Sequence, residues 1–441
     1  MVLVFMVALG VRLLYYTQSA AELYGVDQER YRIAHFYHEA AASLAEGNDR
    51  VLVPRGARPG ITLPAGYPPG YFGFMAVIYR LFGGDMEAVL LTQCVVDAVA
   101  AVLVLLLGEA LFSTSVGFIA ALLLALSPQF AYFSLVIKPD TLTVVPVGLA
   151  LILTVRGVQR GGVGRFVAAG LCLGVACWLR QNALLLAPAL AVAVVGLFGW
   201  RAHWRGAVLM VTACAAIVAP VTLRNAAVYG ELVPVTFGSG FALLSGLARD
   251  DYAGKFNLPR FAYNVSVEEA EARGLPPEYY FAEYERFQVR EHRKFDVKHT
   301  VLSVFAVDGI ARDRERGRRA RALIAADPAY FFSIYGLRIA RLMDYSRQLR
   351  SVSLSAGPRM HAYETLAFYA PLGDLGSYYA REGRWYDHLR PPLAHFQERV
   401  FSTWLLLSAA AVGLTITALA ARALSSDSTL VLPWVAIAHV G

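Results

Sequence analysis

Apolar residues run without interruption for roughly 17 residues or more at several points along the chain, the length a helix needs to cross a bilayer. Ala207–Leu223, for instance, contains no charged residue. A helix that is apolar on every side needs a core all round it in water, but only its own backbone hydrogen bonds in lipid. This pattern predicts spans over 1–16, 86–108, 115–134, 139–155, 165–180, 182–198, 206–223, 400–421 and 429–441. The last run is short of a full span, and Met1 starts directly in an apolar stretch, so both ends read as cut short. Residues 1–16 could instead be a signal peptide cut near Ala20, but they lack the basic leader such a peptide carries.

Pro68–Gly83 is apolar and aromatic, yet its uncharged part is too short to cross comfortably and Arg80 lies near its end. Parity decides how to read it. If 68–83 does not cross, the loops with Arg156, Arg160 and Arg165, with Arg201 and Arg205, and with Arg422 share one side. That side is then the cytoplasm, because short cytoplasmic loops carry the excess of Lys and Arg. The opposite short loops hold only Lys138 and Arg180. We therefore expect 68–83 to be a re-entrant or interfacial helix. Residues 17–85 become a large first outer loop, and 224–399 a water-facing domain on the same outer face. Helical segments are expected in that domain at Pro277–Lys294, Arg314–Ala326 and Pro328–Asp344. The transmembrane units are then 1–223 and 400–441. The fold class expected is an all-α polytopic membrane protein, a transmembrane helix bundle with a mostly helical or mixed outer domain.

Composition agrees with the pattern. The chain is 57% hydrophobic and only 17% charged, against about a quarter charged in soluble domains. Its net charge of +7 points to anionic headgroups or a phosphate-bearing lipid, not to nucleic acid, because no Lys/Arg-rich tract carries a base-reading signature. Cys94, Cys172, Cys177 and Cys214 all fall inside apolar spans and read as small buried hydrophobes, with neither a disulfide framework nor a cysteine metal site.

Chemistry then concentrates on the outer side. The first loop opens with Gly25-Val-Asp27-Gln-Glu29-Arg-Tyr31. A carboxylate close to the low-dielectric membrane surface has its pKa raised by desolvation toward the range of a general base. The plainer reading makes Asp27 or Glu29 a helix cap. Arg30–Leu44 reads as an amphipathic helix with Tyr31, His35, His38 and Glu39 near one face. His35, His38 and Glu39 would need a further spaced ligand to hold a metal. Tyr67-Pro-Pro-Gly-Tyr71 gives a rigid lead into the 68–83 helix. Lys138 and Asp140, Arg180, and Arg224 with Asn225 lie at outer span ends. Singly, such charges snorkel. Together they could surround a phosphate, which Arg grips through paired donors and Lys attracts as a point charge. No Walker motif, HExxH or GxSxG is present, and Asn264-Val-Ser266 is a sequon of the kind that arises by chance.

In order and spacing these residues resemble the C-type (GT-C) glycosyltransferases, in the group of bacterial protein O-mannosyltransferases and the lipid A aminoarabinose transferase. Asp27 with Tyr31 is similar to that family's acidic motif after the first span. Tyr67-Pro-Pro-Gly-Tyr71 leading to Tyr79-Arg-Leu-Phe-Gly83 resembles its proline–proline–aromatic helix. Leu126-Ser-Pro128 with Lys138-Pro-Asp140 resembles its second outer loop, and Leu179-Arg180 with Pro188 an Arg-bearing span start. Pro220-Val-Thr-Leu-Arg224-Asn225, Tyr229-Gly-Glu-Leu-Val-Pro234 and Gly238-Ser-Gly240 continue the likeness.

The resemblance implies an inverting transfer of a hexosyl or pentosyl group from a polyprenyl-phosphate sugar. The transfer would occur at the outer face of a bacterial cytoplasmic membrane, to a lipid, glycan or protein acceptor. Carried over residue by residue, Asp27 is the base, with Glu29 as a nearby acid. Asp140 is a second acid that positions the acceptor or a divalent cation such as Mg or Mn. Lys138, Arg180, Arg224 and Arg58 are the donor-phosphate candidates. Tyr31, Tyr67, Tyr71 and Asn225 are candidates for the acceptor or sugar pocket. The chain departs from the pattern at Gln28, where several relatives carry a second adjacent acid, and at Tyr67, where some carry a base. A lipid or glycan transporter without bond-forming chemistry is the rival reading, and a membrane assembly protein a third.

Overall fold

The computed structural model describes residues 1–25, 32–47, 67–250, 254–256, 274 and 307–343. Among them every regular element is helical. The helices are α1 Val2–Gly25, α2 Arg32–Ala45, α3 Gly70–Phe82, α4 Met86–Leu111, α5 Thr114–Ala125, α6 Pro128–Phe133 and α7 Asp140–Arg160. They continue as α8 Val163–Leu179, a 3₁₀ turn Gln181–Leu185, α9 Leu186–Phe198, α10 Trp200–Tyr229, α11 Ser239–Asp250, α12 Val307–Ala326 and α13 Pro328–Met343. Four described stretches are long and apolar enough to cross a membrane: Met86–Leu111, Asp140–Arg160, Gln181–Phe198 and Trp200–Ala227. This is a multi-pass, all-α membrane protein. The expected spans 400–421 and 429–441 and the expected helix Pro277–Lys294 lie outside the described residues.

Residue pairings fix how the helices run. Asp97 of α4 meets Arg12 of α1, and Ala98 and Ala101 pack with Val4 and Ala8, so α1 and α4 are antiparallel. Leu103 lies against Gly148, and Gln159 donates to the Ala110 carbonyl at 2.6 Å, so α4 and α7 run parallel. Asp140 meets Arg180 while Gly157 meets Phe166, so α8 returns antiparallel to α7. Gly170 faces the Met210 carbonyl and Trp178 donates to the Ile217 carbonyl at 2.7 Å, so α10 runs parallel to α8. The consequence is a polarised bundle. Arg160, Arg165, Arg201 and Arg205 collect at one end, where Trp200 stacks on Trp204 and Arg205 lies over the Trp204 ring. The C-terminal ends of α1, α8 and α10 and the N-terminal ends of α4 and α7 collect at the other.

Several expected boundaries move. The span expected over 115–134 is not one helix. It stops at Ala125 and resumes at Pro128, because proline has no N–H and its ring clashes with the preceding turn. Ser127 accepts from the Phe130 N–H at 3.3 Å and restarts the chain as α6. The span expected over 206–223 extends from Trp200 to Tyr229, so Arg201 and Arg205 begin that helix and Arg224 and Asn225 lie within it. The first helix continues past residue 16 to Gly25. The 68–83 segment forms α3, whose 13 residues give a helix of about 20 Å, short of the ~30 Å hydrocarbon core.

The break after α5 leaves carbonyls without intrahelical partners, which is costly at membrane depth. Arg12 fills that gap. Its guanidinium donates to the Leu124 carbonyl at 3.2 Å and to that of Ala125, while its Nε–H meets Asp97 at 2.7 Å. Both side chains are fully buried. A buried ion pair is tolerated only when its remaining donors are also satisfied, and the broken helix end supplies the acceptors.

Candidate active site at one end of the bundle

The end away from the basic cluster is built from helix termini. Asp140 opens α7 after Pro139. Arg180 follows the last residue of α8 in an extended conformation, which takes its side chain out of the helical path. Because α7 and α8 are antiparallel neighbours, these termini meet, and Arg180 Nη1 donates to Asp140 Oδ1. An acid at a helix start and a base at a helix end each suit the local dipole. The two side chains remain 41% and 34% exposed. A half-exposed guanidinium held from one side by a carboxylate keeps its fork available to an incoming phosphate. Lys138 is two residues before Asp140 and half-buried.

A second layer packs α2 and α3 over this end. Tyr37 sits edge-on to Tyr67 at 5.4 Å and to Tyr71 at 4.8 Å. Burial pushes the Tyr37 and Tyr67 hydroxyls well above the ordinary phenol range, Tyr67 adds to the rise at Tyr37, and the positive charge of Arg180 pulls Tyr37 partly back. These hydroxyls therefore stay protonated and can donate hydrogen bonds. His38 Nδ1 and the Tyr79 hydroxyl lie 2.7 Å apart, and Arg80 donates to the Ala45 and Leu44 carbonyls at 3.0 and 3.2 Å, closing the end of α2. Gly70 lets α3 approach α8, since a Cβ there would sit 2.6 Å from the Trp178 carbonyl oxygen.

On the far side, Arg224 donates to Asn225 Oδ1 at 2.9 Å. The chain beyond α10 then folds back as a strap over 231–238. Asn225 holds it through the Val233 and Val235 carbonyls, Thr222 through the Pro234 carbonyl, and Thr236 meets Gln181 beside Arg180. The strap ends at α11, whose start is filled by Asp313 of α12. That carboxylate accepts from the N–H groups of Gly238, Gly240 and Phe241 at 2.9, 3.2 and 2.7 Å. The Gly238-Ser-Gly240 turn is thus satisfied by a protein carboxylate.

The structure brings Asp140 and Arg180 into contact, places Tyr67 and Tyr71 around Tyr37 beside them, and links Arg224 and Asn225 to Gln181 through the strap. Asp27, Glu29, Tyr31 and Arg58 lie outside the described residues, as do the side chains of His35 and Glu39. Tyr71 and Asn225 are fully buried with their polar groups bonded inside the protein, a position better suited to support than to sugar contact. Among the described residues no group of three or more His, Cys, Asp and Glu could hold a metal ion. Sequence reasoning passed over Tyr37, Gln93 and the Arg12–Asp97 pair. For that pair the signal was present, as charges of opposite sign deep inside two apolar spans.

Residues 67–223 match the dolichyl-phosphate-mannose-protein mannosyltransferase family. The matched segment contains both members of the Asp140–Arg180 pair and the helices that carry them. No curated protein matches the chain.

Proposed function

We propose, from the match of residues 67–223 to the dolichyl-phosphate-mannose-protein mannosyltransferase family, that this chain is a membrane glycosyltransferase that transfers a sugar from a polyprenyl-phosphate donor to an acceptor at the bundle end where Asp140 and Arg180 meet. One observation carries the reading: a half-exposed Arg–Asp pair built from two helix termini, inside the matched segment and at the end opposite the basic cluster. The basic cluster favours the cytoplasm for its own end, which directs the pair outward.

In this reading the donor phosphate is the leaving group. Arg180, with Lys138, Arg224 and Arg58 as further cations, stabilises the charge that grows on it as the glycosidic bond breaks. Asp27 takes the proton of the acceptor hydroxyl, which attacks from the opposite side and inverts the anomeric centre. Asp140 orients the Arg180 fork. Its carboxylate already faces a guanidinium, so no step is assigned to a divalent cation.

The reading is tested by mass spectrometry of the glycan fraction with and without the gene, together with the Asp27→Asn variant. A glycosylated product that disappears in both the deletion strain and the variant, with the variant still inserted, is the expected result. Movement of lipid between leaflets with no new glycosidic bond would replace this reading with a transporter. A reporter fused near residue 300 that proved cytoplasmic would reverse the sidedness.

A further inference from the structure

Two carboxamide side chains at the site end make the same unusual set of bonds. Gln93 of α4 accepts from the Tyr71 hydroxyl at 2.5 Å and donates to the carbonyls of Ser134 at 2.9 Å and Val136 at 3.0 Å. Asn225 of α10 accepts from Arg224 at 2.9 Å and donates to the carbonyls of Val233 at 3.0 Å and Val235 at 2.8 Å. Both are fully buried. Each amide N–H₂ thus grips the i and i+2 carbonyls of a chain segment outside the long helices; the Val136 carbonyl also accepts from the Lys138 N–H at 2.8 Å. The amide orientation at Asn225 is fixed by chemistry, because a guanidinium only donates and a carbonyl only accepts.

The two gripped segments converge. Residues 134–137 lead directly into Lys138 and Asp140, and 233–235 lead into Thr236, which meets Gln181 next to Arg180. We infer that Gln93 and Asn225 are positioning residues that set, from opposite sides, the loops on which the Asp140–Arg180 pair depends, with Tyr71 and Arg224 as the side chains bonded to each. Only an amide meets both demands at once, an acceptor for the side chain and two donors for the backbone. A carboxylate keeps the first and loses the second, and leucine loses both.

This inference rests on the proposed transfer for its kinetic consequence but not for its structural one, and the test separates them. Hydrogen–deuterium exchange is measured on the purified full chain for peptides covering 133–141 and 231–238. Gln93→Leu and Gln93→Glu are expected to speed exchange about tenfold or more in the first peptide alone, and Asn225→Leu and Asn225→Asp in the second alone. In the transfer assay, Asn225→Leu is expected to lower kcat/KM for the polyprenyl-phosphate sugar about tenfold in the wild-type background, and to have no further effect in the Arg180→Ala background. Gln93→Leu is expected to behave likewise in the Arg180→Ala background. Unchanged exchange in both peptides, or a uniform rise through the bundle, overturns the inference. So do additive losses in both double variants. Localised exchange changes with no transfer by the wild type would leave the positioning role standing and remove the proposed function.

Discussion

Among the described residues two arginine–aspartate pairs join neighbouring helices, one inside the bundle and one at its end. Arg12–Asp97 lies inside the bundle, with side chains 0% and 2% exposed, and the guanidinium also closes the broken end of α5. Arg180–Asp140 lies at the helix termini and is more than a third exposed on each side. The same two residue types therefore act differently. In the interior the charges neutralise each other and satisfy backbone, so nothing is left to bind. At the end the pair holds a guanidinium in place with its fork accessible. Burial, not residue type, separates a structural clamp from a candidate phosphate site.

The largest effect is expected at the buried pair. Asp97→Leu leaves an uncompensated charge in the bundle and is expected to cost about 3–5 kcal/mol, read as loss of folded protein in detergent unfolding curves. Arg12→Leu/Asp97→Leu together should recover part of that loss but stay below wild type, because the Ala125 carbonyl loses the Arg12 donor while the Leu124 carbonyl keeps the Ser127 N–H. Full recovery would show that Arg12 does not support α5.

At the exposed pair the effect should move from stability to activity. Arg180→Ala is expected to lower kcat about 100-fold with an unfolding curve close to that of wild type. A large loss of stability instead would make the two pairs alike and remove the distinction drawn between them.

A change beside the exposed pair sharpens the contrast. Gly70→Ala places a methyl 2.6 Å from the Trp178 carbonyl oxygen and should cost about 1–3 kcal/mol by moving α3 off α8. Cross-linking between those helices would report the shift. The smallest effect belongs to Arg314–Glu231, which bond at 2.7 Å with both side chains about half exposed. Arg314→Ala should change stability by about 0–1 kcal/mol, measured by the same unfolding curves, and a loss comparable to Asp97→Leu would contradict the role given to burial.

The apolar runs made most of the helices legible, since a span is written in length and composition. α4 begins where expected, and α7 and α8 within two residues of it. Boundaries failed where a short polar or proline signal outweighed the run. Ser127-Pro128 broke α5 from α6, and α10 carried Arg201, Arg205 and Arg224 within its helix because snorkelling lets long basic side chains remain in a span. Asp140 and Arg180 stood out as charges at predicted span ends. Gln93 did not, because a lone glutamine in an apolar run gives no hint of the carbonyls it will meet 41 and 43 residues later. Tyr37 was hidden for the same reason, as an aromatic on a helix face looks like core until Tyr67 and Tyr71 close on it.

Whether the exposed pair serves group transfer from a lipid phosphate is decided by a reconstituted assay. Purified chain in vesicles, given a polyprenyl-phosphate-linked sugar and an acceptor extract, is followed for release of polyprenyl phosphate and appearance of a new glycosidic bond. Wild type is expected to form both products in equal amount, and equally folded Arg180→Ala to form both about 100-fold more slowly. Equal rates from wild type and Arg180→Ala, or lipid movement without a new bond, would contradict a role in group transfer.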